Sequence, residues 1–124
     1  MTSYRIANKL PQYKFYLLRH GESIWNLEKK FTGWTNVPMT SKGVYQSKLV
    51  LNAMNEHNVK PNIIYTSQLD RALHTSSIIK EDFNNRKKEC VNDINIIQNW
   101  RLNEKNYGSL EGMEHKEFES YYGK

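Results

Sequence analysis

Phe15-Tyr16-Leu17-Leu18-Arg19-His20-Gly21-Glu22-Ser23-Ile24-Trp25-Asn26 is the stretch on which the reading of the whole chain turns. Four consecutive apolar residues, Phe15 to Leu18, predict a short buried strand over roughly Lys14–Arg19. The run stops at an arginine, a histidine and a glycine. Titratable residues just after such a strand lie at its carboxyl end, where open α/β sheets place their ligand crevices. Gly21 lets the backbone turn sharply, and Gly21–Asn26 can start a helical turn whose free N–H groups suit an anion. His20 then stands between a guanidinium and an anion-friendly backbone.

Before this turn, residues 1–13 are polar, unpatterned and free of acids, and Pro11 falls near their end. They read as a disordered basic tail. They contain no apolar core of a secretory signal. After the turn, Phe31-Thr32-Gly33-Trp34-Thr35-Asn36-Val37-Pro38 mixes turn formers with aromatics and predicts a structured loop packed over the site. Thr40-Ser41 offers an N-cap for a helix running to about Asn55–Asn58, with Tyr45, Leu49, Ala53 and Met54 as its inward stripe. Ile63-Ile64-Tyr65 predicts a second strand. Thr66-Ser67 caps a helix over Gln68–Lys80, with Leu69, Ala72, Leu73, Ser76 and Ile79 inward. Residues 81–93 read as a polar loop, Ile94–Trp100 as a third strand, Arg101–Gly112 as an irregular loop and Glu114–Tyr122 as a helix. Such alternation predicts a mainly parallel sheet with crossover helices. Parallel strands need cover on both faces, and the helices are too few for that, so the architecture reads as incomplete.

Composition narrows the function classes. A chain of 124 residues suffices for one small domain. Cys90 stands alone, which excludes an internal disulfide and a cysteine-based zinc site and points to a reducing compartment. No apolar stretch approaches the roughly 20 residues that cross a bilayer. The net charge of +5 invites a polyanion. Its densest basic run, Arg86-Lys87-Lys88, is short and flanked by Glu81, Asp82 and Glu89, unlike the aromatic-laced basic face of a nucleic-acid binder. A small anionic metabolite fits the scattered arginines better.

Four stretches carry chemistry. Arg19-His20-Gly21-Glu22 supplies a nucleophile or a structural histidine. Tyr65-Thr66-Ser67 with Arg71 places an arginine one turn into a helix, where it can fork onto an anion at the same sheet edge; taken singly, it reads as a surface arginine. Trp100-Arg101-Leu102-Asn103-Glu104 with Tyr107-Gly108 puts a carboxylate just beyond the third strand, suited to general acid–base work or merely exposed. Phe31-Thr32-Gly33-Trp34 can bring backbone N–H groups close to a ligand.

In this order and at these separations, RHGESIWN, FTGWTNVPMTSKG, YTSQLDRALHT and WRLNEKNYGSLEGM closely resemble the 2,3-bisphosphoglycerate-dependent phosphoglycerate mutases of the histidine phosphatase superfamily. The match runs from about Phe15 to Lys124. RHGE alone carries only the superfamily, whereas FTGW and the RLNE–YG segment carry the mutase branch. The resemblance implies a three-layer α/β sandwich with a mainly parallel sheet, of which residues 14–124 form the N-terminal part. It implies interconversion of 3-phosphoglycerate and 2-phosphoglycerate in glycolysis, primed by 2,3-bisphosphoglycerate, in the cytoplasm, without a metal. It gives no role to nucleic acid or membrane, and it allows a homo-oligomer for the full-length parent. His20 becomes the phosphorylated nucleophile and Glu104 the proton donor and acceptor. Arg19 and Arg71 become phosphate clamps. Gly21, Glu22, Ser23, Asn26, Thr32, Gly33, Lys105, Asn106 and Tyr107 join them as substrate-binding positions.

Three departures qualify the likeness. Glu104-Lys105-Asn106-Tyr107 replaces the family's Glu-Arg-His-Tyr and loses two planar donors. His115, followed by Lys116, stands where the family has a substrate-binding lysine. No segment matches the family's second catalytic histidine in Ala-His-Gly-Asn-Ser, and His57, His74 and His115 lack that context. The alternatives are a phosphatase of the same superfamily and an inactive fragment retaining a phosphate-binding half-site.

Overall fold

Thr40 starts the longest well-capped element. Its extended backbone and its hydroxyl, which accepts the Gly43 N–H at 3.1 Å, begin helix α2 at Ser41–Glu56, closed by His57. The computed structural model describes residues 12–86 and 93–124. Most of the expected basic tail, and residues 87–92 of the expected polar loop, lie outside the described residues. Strand β1, Ile63–Thr66, follows α2, and helix α3 covers Asp70–Arg86. Strand β2, Asn95–Gln98, pairs in parallel with β1 in the register Ile63↔Asn95 through Thr66↔Gln98. The short helix α1, Ile24–Leu27, precedes these elements and α4, His115–Tyr122, follows them. The result is an α/β fold with a two-stranded parallel sheet and four helices among the described residues. No helix there is long and apolar enough to cross a membrane.

Leu51, Ile79, Phe83 and Ile94 form the buried core, with Met54, Ile64 and Ile78 packed on it. This joins α2, α3 and the sheet. It also explains why α3 outlasts the expected end at Lys80. Phe83 continues the apolar step from Ile79 by four residues, and Arg86 pairs with Asp82 at 2.7 Å across one further turn. On α3, Ser76 and Ile79 are buried as expected, and Leu69 is buried just before the helix. Ala72 and Leu73 are only half-buried, and Arg71 and Thr75 share the inward face.

The stripe expected on α2 is wrong. Gly43, Ser47 and Leu51 face inward, while Tyr45, Leu49 and Ala53 are exposed; of the four residues expected inside, only Met54 reaches the core. The reason is a backbone contact. A Cβ on Gly43 would stand 2.2 Å from the Glu22 carbonyl oxygen, so α2 crosses the His20 turn at its glycine and presents its small residues there. The bulkier apolar residues are thereby swung outward.

The first expected strand also differs. Residues 14–19 join no ladder among the described residues, and Phe15 and Leu17 are 82% and 88% exposed. A strand becomes a strand only against a neighbour that takes its N–H and C=O groups, and β1 and β2 pair with each other. The third expected strand begins late and ends early, at Gln98. There the Asn99 side chain accepts the Arg101 N–H at 2.9 Å and opens a 3-10 turn over Trp100–Leu102.

Candidate active site

His20 is half-buried, and its Nδ1 lies 2.7 Å from the Gly21 carbonyl oxygen. A carbonyl only accepts, so Nδ1 carries the proton and the Nε2 lone pair of the neutral ring is left for chemistry. Burial holds the imidazole pKa below its ordinary value. The Gly21 hydrogen bond opposes this, the positive charges of Arg71 and Arg19 add to it, and Glu104 offsets part of it. A lowered pKa keeps the ring neutral, the state a nucleophile needs.

The His20 turn is set by two glycines back to back. A Cβ on Gly21 would meet the Gly43 carbonyl oxygen at 2.1 Å. The Glu22 N–H donates to Gln46 Oε1 at 2.9 Å, and the Glu22 carbonyl accepts the Thr40 N–H at 2.9 Å. The Glu22 carboxylate accepts the Thr40 hydroxyl at 3.0 Å and lies 4.0 Å from Lys42 Nζ, so it is spent at the start of α2. Ser23, wholly buried, caps α1: its hydroxyl accepts the Asn26 N–H at 3.2 Å, and Asn26 Oδ1 accepts the Ser23 N–H at 3.0 Å. These residues shape the turn from below.

Arg71 is the centre of the opposite wall. Its side chain is 1% exposed, against 42% for Glu104. One terminal nitrogen, Nη2, donates to the Gly33 carbonyl at 2.7 Å and to Glu104 Oε2 at 3.0 Å. The other, Nη1, donates to the Thr35 carbonyl at 3.0 Å. Three of the five guanidinium N–H groups are thus engaged among the described residues. A buried charge is tolerable only when paired and hydrogen-bonded in this way. The expectation of a surface arginine, drawn from the helix pattern alone, fails because the 33–35 loop folds back over the helix start.

The loop and the segments beside it are tied together. Asn36 Oδ1 accepts the Asp70 N–H at 2.7 Å, Asn103 Oδ1 accepts the Gln68 N–H at 3.1 Å, and Trp34 Nε1 donates to the Glu104 carbonyl at 2.7 Å. Thr32 and Gly33 are buried, and Gly33 has φ +57°, the left-handed region that favours glycine. Of the remaining expected residues, Arg19 is exposed but close enough to act on the His20 charge. Tyr107 stacks on Phe31 at 5.1 Å, with Lys105 Nζ 5.7 Å above its ring, and Asn106 Oδ1 accepts the Gly108 N–H at 2.8 Å. His115 packs edge-on against Phe31 at 4.5 Å, and Lys116 is exposed.

Sequence reasoning missed Glu111. Its carboxylate accepts the Trp34 N–H at 2.9 Å and the Thr35 hydroxyl at 2.6 Å. These bonds, with a further one from the Tyr107 N–H and the nearby Arg71 charge, hold its pKa below the usual carboxylate value. Its only signal in the sequence is a place between Gly108 and Gly112, both at positive φ.

A half-buried histidine feels the charges of a buried arginine and of the carboxylate paired with it, so His20, Arg71 and Glu104 form one electrostatic cluster in an α/β fold. The chain belongs to the histidine phosphatase superfamily (branch 1), whose family model matches residues 15–124. It is 40% identical over 111 residues to the 2,3-bisphosphoglycerate-dependent phosphoglycerate mutase of Hydrogenobaculum sp. (strain Y04AAS1), covering 90% of this chain and 42% of that protein. The protein of the same name from Parabacteroides distasonis is 43% identical over 107 residues, 86% of this chain and 41% of its own. The chain therefore spans less than half the length of these relatives. Among solved structures, Bacillus stearothermophilus YhfR superposes with a TM-score of 0.67 at 34% identity, over 82% of this chain and 45% of that one. Phosphoserine phosphatase from Entamoeba histolytica, in complex with 3-phosphoglyceric acid, superposes with a TM-score of 0.62 at 30% identity, over 80% and 43%.

Proposed function

We propose that this chain carries the phosphoryl-accepting part of a 2,3-bisphosphoglycerate-dependent phosphoglycerate mutase. The observation that carries the reading is the Nδ1–H bond from His20 to Gly21, which leaves Nε2 unprotonated beside Arg71. Nε2 attacks the phosphorus of the bisphosphate in line, the ester P–O bond breaks, and the departing oxygen takes a proton from Glu104. In the reverse direction the Glu104 carboxylate takes the proton of a phosphoglycerate hydroxyl as the phosphoryl group leaves His20 Nε2 for it, giving back the bisphosphate and the free imidazole; attack by Nε2 on the other phosphate of the reoriented bisphosphate then releases the isomeric phosphoglycerate. Glu104 is the proposed group for both tasks because Arg71 engages its Oε2 and so holds the carboxylate within the same cluster as His20. Arg71 and Arg19 bear the charge of the transferring group. Gly21, Thr32 and Gly33 bring backbone close to it. Ser23, Asn26, Lys105, Asn106 and Tyr107 complete the proposed binding positions, Ser23 and Asn26 by fixing the turn. The site takes a small phosphorylated anion. A place in glycolysis, and in the cytoplasm, is part of the same proposal.

The phosphatase reading has its own support in the phosphoserine phosphatase that superposes on the chain. The two part at the acceptor, a hydroxyl or water. Incubation with 2,3-bisphosphoglycerate labelled in its phosphates gives acid-labile phosphate on His20, and His20→Asn abolishes it. Label that chases into phosphoglycerate supports the mutase, and label lost to water supports the phosphatase. No label on His20 refutes both and leaves an inactive half-site.

A further inference from the structure

Glu111 and Arg71 grip the same peptide unit from opposite sides. The Gly33 carbonyl accepts from Arg71 Nη2 at 2.7 Å, and the N–H of the following residue, Trp34, donates to Glu111 Oε1 at 2.9 Å. The cation takes the negative end of that peptide dipole and the anion takes the positive end. One residue on, the arrangement repeats. The Thr35 carbonyl accepts from Arg71 Nη1 at 3.0 Å, and the Thr35 hydroxyl donates to Glu111 Oε2 at 2.6 Å. Space enforces it as well, since a Cβ on Gly33 would lie 2.3 Å from Glu111 Oε1 and 3.0 Å from the Tyr107 nitrogen. Rotating the peptide would turn its carbonyl toward a carboxylate and its N–H toward a guanidinium, so the network admits one orientation.

We propose that Glu111 is a positioning residue which, through the Gly33–Trp34 peptide and Thr35, sets how the Thr32–Gly33 backbone meets the bound anion. Because Trp34 also holds the Glu104 carbonyl through its indole N–H, the same clamp fixes the strand of loop carrying the proton donor. The inference rests on the phosphoryl-transfer reading of the site. It assigns to Glu111 an effect on substrate affinity that acts through backbone orientation, without contact to substrate.

The test compares the full chain with Glu111→Ala, Glu111→Gln and Thr35→Val. Two quantities are measured: the 2,3-bisphosphoglycerate concentration giving half-maximal His20 labelling, and the hydrogen-exchange protection of the Trp34 backbone amide without ligand. Glu111→Ala is expected to raise the half-saturating concentration at least tenfold and to lose Trp34 protection. Glu111→Gln keeps an acceptor for the Trp34 N–H and can donate to the Thr35 oxygen, so it is expected to stay within threefold and retain protection. Glu111→Ala with wild-type half-saturation and protection overturns the proposal, as does Glu111→Gln behaving like Glu111→Ala. If Glu111→Ala loses its helical circular dichroism, Thr35→Val decides: a threefold or larger rise supports the clamp and none overturns it. Absence of label on the wild-type chain is a failure of the phosphoryl-transfer reading. The amide protection of Trp34 then still tests the clamp by itself.

Discussion

Phe15–Leu18 leads into His20 from one side, and the Gly33–Thr35 loop with Arg71 forms the wall that acts on it from the other. The first segment is apolar and exposed; the second is built around a guanidinium that is 1% exposed. The usual rule of burial is inverted in both. Arg71 is buried because three carbonyl or carboxylate partners meet it at hydrogen-bond distance. Phe15–Leu18 is bare because burial at about 25 cal/mol per Å2 is realised only when another surface arrives to cover it. Order in this site therefore comes from polar satisfaction more than from apolar content.

The most damaging way to break the polar wall is to remove its cation. Arg71→Met leaves the Gly33 and Thr35 carbonyls without their donor and Glu104 without its partner. Each carbonyl left without its donor costs about 1–3 kcal/mol, while the freed Glu104, 42% exposed, is rehydrated. Urea denaturation followed by circular dichroism should register that loss, and His20 labelling should vanish with it. Arg71→Lys should recover little, because a single ammonium nitrogen cannot span acceptors held by two separate guanidinium nitrogens. A midpoint for Arg71→Met within 0.3 M of wild type, roughly 0.6 kcal/mol at a typical urea slope, would show that the network is not what orders the wall.

The turn below His20 should respond next most strongly. Gly43→Ala gains about 1 kcal/mol of helix propensity, but its Cβ would sit 2.2 Å from a backbone oxygen of Glu22. Overpacking against backbone costs about 1–3 kcal/mol, so the net effect is destabilising, with α2 pushed off the turn. Gly108→Ala is the control: it has φ +57° but nothing within 4 Å of a Cβ, so it carries only the left-handed penalty of about 1 kcal/mol. His20 labelling should fall in Gly43→Ala and persist in Gly108→Ala. Equal labelling in the two would separate the glycine pair from the site.

A smaller effect comes from His20 itself. Its folded pKa lies below its unfolded one, so between the two values the unfolded chain binds more protons and stability rises with pH. The contribution is complete above the ordinary histidine value, near pH 6.5, and is lost as pH falls through the lowered folded pKa. His20→Gln should flatten that part of the stability profile. An NMR titration of the His20 ring that moves upward from the ordinary value would contradict the burial argument.

How much of this was legible beforehand follows from the range of the interactions. Thr40 as a cap, β1 and the His57 end of α2 are local, and sequence shows them. So does the chain order of His20, Arg71 and Glu104, because motifs are read along the chain. The inward face of α2 was not legible: it depends on a contact between Gly43 and Glu22, twenty-one positions apart, that no helical period encodes. Phe83 extended α3 through a core it shares with Ile94, again a distant partner. Arg71 was read as a phosphate clamp from its motif, but its burial was not legible, because the loop that covers it is 36 to 38 positions away. Glu111 was invisible for the same reason, since its partners are 76 and 77 positions away.

The exposed run supplies the last and smallest prediction, and it sharpens the comparison most. Leu17→Glu replaces an 88% exposed leucine, and substitutions at such surfaces change stability by no more than about 0.5 kcal/mol. The same change placed at Leu51, in the core, would bury an unpaired carboxylate and cost far more. Leu17→Glu should also raise the soluble fraction, because a bare apolar segment with open N–H and C=O groups templates association. The measurement is a urea midpoint at two protein concentrations, with light scattering alongside. A loss above 1 kcal/mol that grows as protein is diluted would mean that another molecule covers Phe15–Leu18, and the apolar side of His20 would then be ordered by burial after all.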